Sequence, residues 1–173
     1  MHLNLQCGHC LKNYAANIST LMCQDCNGPL DLQYPQHIHG DLSQGKWSGF
    51  GINLPPNSPT ESWSLGEGNT PTVDIPVVGK EFGLNNLFAK LEYLNPTGSF
   101  KDRGVSVMIS VAKEQGVLEV VEDSSGNAGA SVSAYAARNG MLAHIFTPSS
   151  APQAKLRQIR SYGAIVHVID GPR

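Results

Sequence analysis

Asn95-Pro96-Thr97-Gly98-Ser99-Phe100-Lys101-Asp102-Arg103-Gly104 joins a tight polar turn to an amphipathic run, with one lysine at the junction. In Asn95 to Gly98, proline fixes one φ, glycine permits a positive φ, and short polar side chains bond local backbone. Beyond it Val105, Val107, Met108, Ile109, Val111 and Ala112 recur at helical spacing, which predicts a helix from about Lys101 to about Gln115. Lys101 then stands in the first turn, at the positive end of the helix dipole. That position favours a neutral amine able to condense with an aldehyde. An ordinary solvated lysine at a helix start fits the same spacing.

Working outward, Leu118 to Glu122 reads as a short strand running into Asp123-Ser124-Ser125-Gly126-Asn127-Ala128-Gly129, and Ala130 to Arg138 as a helix that stops at Asn139-Gly140. Strand, polar glycine turn and helix can hold an anion or a ring on exposed N–H groups and hydroxyls. A plain βα loop with a serine cap is the simpler reading of the same residues. The unit then repeats: strand Leu142 to Thr147, helix Pro152 to Tyr162, strand Ala164 to Ile169. Such alternation predicts right-handed βαβ crossovers and a parallel sheet. Lys155, Arg157 and Arg160 fall on the second helix and read as a solvated basic face, Lys155 alone being placed for a phosphate contact. Upstream, Thr72 to Val78 and Asn86 to Leu91 are predicted as short strands.

All four cysteines lie near the N-terminus, as Cys7-Gly8-His9-Cys10 and Cys23-Gln24-Asp25-Cys26, with twelve residues between the pairs. Two such knuckles joined by a hairpin bring four thiolates to the corners of a tetrahedron, which suits zinc. Leu3, Leu5, Tyr14, Leu30, Leu32 and Tyr34 supply strands and apolar cover for a ribbon at 1–34. A four-thiolate site has no open position for substrate, so its metal is structural. Reversible thiols, or iron on the same cysteines, are the alternatives. His9 reads as a solvated knuckle residue. From 35 to 63 the chain reads as a linker or arm, anchored by Trp47, Phe50 and Trp63. His37 and His39 there have no companion ligands.

The 173 residues, with 40% apolar content, can bury a core, and a net charge of -2 disfavours general nucleic-acid or membrane-surface binding. No run approaches the length of a membrane span, and the first residues lack a signal peptide's basic and apolar regions. A cytoplasmic protein is the expectation.

The ten residues from Asn95 to Gly104 resemble the cofactor-lysine motif of pyridoxal-phosphate enzymes of the tryptophan synthase β-like group (fold type II), the threonine synthase family above all. Ser64-Leu65-Gly66-Glu67-Gly68-Asn69-Thr70-Pro71, the 124–129 loop and the cysteine pairs agree in the same order. On its own, Gly66 to Pro71 is a glycine turn. The resemblance implies an α/β fold: one half of a fold type II enzyme, at 64–173, with a parallel sheet and flanking helices, preceded by the small zinc ribbon. It implies pyridoxal 5'-phosphate held on Lys101 and Asn127 bonding the ring's phenolic oxygen. Ser124, Ser125 and nearby N–H groups would receive a substrate carboxylate. The implied activity is conversion of O-phosphohomoserine and water to threonine and phosphate, with a homo-oligomer as a possible assembly. The phosphate-cradling glycine loop of the family falls beyond Arg173, so the chain reads as the N-terminal part of such an enzyme.

Two other readings fit. One keeps the cofactor and lysine for a threonine or serine dehydratase, a diaminopropionate ammonia-lyase or a cysteate synthase. The other is a non-catalytic truncated remnant that exposes an unpaired sheet edge and apolar faces.

Overall fold

The computed structural model describes residues 4–15, 20–33 and 63–171. The chain divides into two compact units, Met1–Ser58 and Pro59–Arg173. Trp47, Phe50, His37 and His39 lie outside the described residues, and Trp63 is half-buried.

In the first unit β1 (Asn4–Cys7) lies between β2 (Asn13–Ala15) and β3 (Leu30–Gln33), antiparallel to both. Leu5 faces Tyr14 on one side and Leu32 on the other, so the alternating apolar residues share one face. Each cysteine pair closes a tight turn: Leu11 N–H bonds Cys7 O at 3.0 Å, and Asn27 N–H bonds Cys23 O at 2.9 Å. Leu11 and Asn27 accordingly take positive φ, 62° and 55°.

The second unit opens with β4 (Thr72–Asp74), α1 (Pro76–Glu81) and β5 (Phe88–Lys90), the two strands pairing antiparallel. The predicted strand Thr72 to Val78 is therefore corrected: it ends at Asp74, and Val77 and Val78 are helical. Proline at the first helical position starts α1 with its φ already set. Gly79 lets α1 pack closely, since a Cβ there would lie 2.8 Å from Leu84 O.

Then come α2 (Lys101–Glu114), β6 (Glu119–Asp123), α3 (Asn127–Arg138), β7 (Leu142–Pro148), α4 (Gln153–Ser161) and β8 (Ile165–Ile169). The strands form a parallel sheet in the order β6-β7-β8. Ala143 and Ile145 point inward, and a Cβ on Gly129 of α3 would meet Ile145 at 3.1 Å and Ile159 of α4 at 3.2 Å. Both helices thus cover the same face, with Val105, Ile109, Ala130, Val132, Tyr135, Leu156 and Ile159 in one core. The opposite face carries Glu119, Val121, His144, Phe146, His167 and Ile169. There His144 Nδ1 lies 3.0 Å from His167 Nε2, His167 stacks on Phe146 at 4.5 Å, and Val121 is 68% exposed.

Candidate functional site

Cys7 Sγ lies 3.5 Å from Cys26 Sγ, Cys10 Sγ lies 3.5 Å from Cys23 Sγ, and all four sulfurs fall within 4.8 Å of one another. Four thiolates about 2.3 Å from a tetrahedral zinc would stand roughly 3.8 Å apart, so donor set and spacing fit that metal. Backbone N–H groups of His9 and Cys10 point at Cys7 Sγ, 3.4 and 3.5 Å away. Tyr14's hydroxyl is 3.1 Å from Cys23 Sγ and accepts the Gln24 N–H at 3.2 Å. Gly28 is required by space, because a Cβ would sit 2.9 Å from both Cys7 Sγ and His9 Nδ1.

Four adjacent thiols cannot all ionise without a cation. Cys23 is held down at about 6, chiefly by Tyr14's hydroxyl, and the Cys10 N–H lowers Cys7. At Cys26 the Gly28 N–H works to lower the thiol, but the Cys7 sulfur, desolvation and the Cys23 and Cys10 sulfurs outweigh it and push it up to about 12. A divalent ion removes the conflict by favouring every thiolate.

In the second unit Lys101 is the first residue of α2 and is exposed, its Nζ 4.9 Å from the Phe100 ring centroid. Among the described residues no carboxylate pairs with it. Its neighbour Asp102 is fully buried and accepts Thr97 N–H at 2.7 Å, Thr97 Oγ1–H at 2.5 Å and Ser131 Oγ–H at 2.6 Å. Gly98 takes φ 85° to close the turn. Gln158 of α4 steadies the turn from outside, its Nε2 donating to Thr97 O at 3.0 Å.

Asn127 opens α3 and is exposed, while Ser125 is half-buried. Ser124 is buried, and its Oγ accepts the N–H groups of Gly126 at 3.2 Å and Gly129 at 2.9 Å. Among the described residues, the N–H groups of Ser125, Asn127 and Ala128 have no hydrogen-bond acceptor. The Asp102–Ser131 bond joins the first turn of α2 to α3 one turn, roughly 6 Å, below Asn127. Lys101 and the 124–127 loop therefore lie at adjoining helix starts. A primary amine beside an open amide and free N–H donors fits the ring end of pyridoxal phosphate.

Arg103 turns away, its guanidinium bonding both carboxylate oxygens of Glu92 at 2.7 Å. This fork, with Thr70 and Asn95 adding donors, holds Glu92 down at about 2. Lys155 Nζ bonds Gln158 Oε1 at 3.0 Å, so here it braces its own helix. Glu67, Glu92, Ser131, Tyr135 and Gln158 were not foreseen as supports. Ser131 and Tyr135 in an otherwise small and apolar helix are the one sequence sign of them.

A lysine-led helix and a polar strand-turn-helix on a parallel sheet fit an α/β enzyme of the fold type II pyridoxal-phosphate class. The family model described as pyridoxal-phosphate dependent enzyme matches residues 63–173, and the chain belongs to that family. Among its relatives is a threonine synthase of Synechocystis sp., 44% identical over 120 residues, spanning 68% of this chain and 31% of the relative. A threonine synthase of Methanocaldococcus jannaschii is 35% identical over 96% of this chain and 43% of its own length. The chain thus spans less than half the length of either relative. Among solved structures, maize serine racemase aligns with TM-score 0.55 and 35% identity over 60% of this chain and 31% of that one. Among the described residues no helix is long and apolar enough to cross a membrane.

Proposed function

We propose that the chain is the lysine-bearing part of a threonine synthase, which turns O-phosphohomoserine and water into threonine and phosphate. The observation that carries this reading is the Asp102–Ser131 cross-link, which sets the Lys101 turn beside the 124–127 loop. The threonine synthase relatives favour this substrate over others of the fold. Pyridoxal phosphate, when bound, supplies an electron sink conjugated to the substrate's α-carbon. Lys101 would hold the cofactor, and its amine would move protons at the substrate carbons. Asn127 Nδ2 would donate to the ring oxygen. Ser125, with the N–H groups of Ser125 and Ala128, holds the substrate carboxylate. The hydroxyl of Ser124 is committed to Gly126 and Gly129 as an acceptor but retains its own hydrogen to donate. Zinc on Cys7, Cys10, Cys23 and Cys26 is structural and takes no part in the reaction.

The test is product analysis with pyridoxal phosphate present. Phosphate and threonine from O-phosphohomoserine, lost in Lys101→Ala, are expected. A keto acid from threonine or serine instead would establish the dehydratase reading, and no product together with no uptake of pyridoxal phosphate would favour the remnant.

A further inference from the structure

α3 is gripped along one face by two buried carboxylates from distant parts of the chain. Asp102 reaches it through Ser131 Oγ at 2.6 Å, and Glu67, 6% exposed, through the Tyr135 hydroxyl at 2.7 Å. Ser131 and Tyr135 are four residues apart, one above the other on the helix. Each carboxylate also binds a turn: Asp102 the lysine turn at Thr97, Glu67 the glycine turn at Ser64 Oγ (2.8 Å) and Leu65 N–H (3.0 Å). The two turns are themselves tied, Gly68 N–H donating to Asn95 Oδ1 at 3.0 Å. Burial, then the hydrogen bond to Glu67 and the charges of Glu67 and Asp102, raise the Tyr135 pKa, so its hydroxyl stays a donor.

A buried carboxylate is costly unless its bonds are made, and those bonds are directional. Apolar contacts alone would tolerate a small rotation or slip of α3. Such a slip would swing Asn127 away from Lys101 and break both grips at once.

We propose that Glu67, Asp102, Ser131 and Tyr135 form a positioning spine that holds the Lys101 turn in register with the 124–127 loop. This rests on the reading that both loops serve one cofactor. None of the four is assigned a chemical step.

Hydrogen exchange by mass spectrometry on the full chain without added ligand tests it, in Ser131→Ala and Tyr135→Phe. Exchange over 97–104 and over 124–130 should accelerate together, by about tenfold or more, while 153–161 keeps its rate. Ser133→Ala is the control. It removes another buried hydroxyl of α3, one bonded among the described residues to Gly129 O within the same helix, and should leave both segments unchanged. Acceleration of one segment alone, of neither, or equally in Ser133→Ala would overturn the proposal.

Borohydride trapping of pyridoxal phosphate is read on the same proteins. Preference for Lys101 over Lys90, Lys113 and Lys155 should fall about tenfold in the spine variants. An unchanged preference would count against the spine. Paired acceleration in the variants, with the parent chain never labelled at Lys101, would support the spine while refuting the cofactor reading, so the two failures are separable.

Discussion

The two units hold reactive groups by opposite means. Among the described residues, the cysteine unit gathers four thiols with three short strands and little apolar cover, and its sulfurs oppose one another in the absence of a cation. The lysine unit leaves its amine exposed and fixes its surroundings with carboxylates whose hydrogen bonds are complete within the protein. One centre has a donor set that calls for a cation, and the other has its carboxylates paired within the protein.

Metal removal separates them most sharply. Chelation, or Cys23→Ser, should unfold the first unit, because the binding energy of a structural zinc, on the order of 10 kcal/mol, is also its folding energy. NMR should show signals from residues 4–33 collapsing while those of the parallel sheet persist. Simultaneous loss of both sets would break the distinction.

Asp102→Ala should have the next largest effect, confined to the second unit. It leaves Thr97 N–H, Thr97 Oγ1 and Ser131 Oγ without their acceptor, at about 2 to 4 kcal/mol. Denaturant unfolding of that unit measures the loss, and metal content should not change. Gly129→Ala should cost about 1 to 3 kcal/mol by overpacking, since its Cβ would meet Ile145, Ile159 and Ser124 at 3.1 to 3.2 Å.

The smallest effect is electrostatic. Glu92 is held at about 2 by Arg103, below its ordinary 4.5. Its contribution is therefore fully present above about pH 4.5 and is lost as pH falls towards 2. Partial exposure limits it to roughly 1 kcal/mol. Acid titration of stability should flatten over that window in Glu92→Gln.

Local features were legible in the sequence, and long-range ones were not. The cysteine spacing, the Asn95 to Gly98 turn and the apolar period of α2 each lie within a few residues. The strands β6, β7 and β8 follow from apolar runs between turns. Val77 and Val78 misled because branched residues favour strands, whereas Pro76 and the tight approach at Gly79 commit them to a helix. α3 begins at Asn127 rather than Ala130 because Ser124 Oγ accepts the Gly126 and Gly129 N–H groups, a serine cap legible in the loop whose effect on where the helix starts was not. Glu67 and Tyr135 are 68 residues apart, so their pairing depended on the finished fold.

Whether Lys101 is the residue that takes pyridoxal phosphate is read by borohydride reduction of the chain incubated with pyridoxal phosphate, followed by peptide mass spectrometry. The expected result is a pyridoxyl group on Lys101, absent in Lys101→Ala and not transferred to Lys90, Lys113 or Lys155. Labelling scattered over those lysines, or none at Lys101, would contradict it.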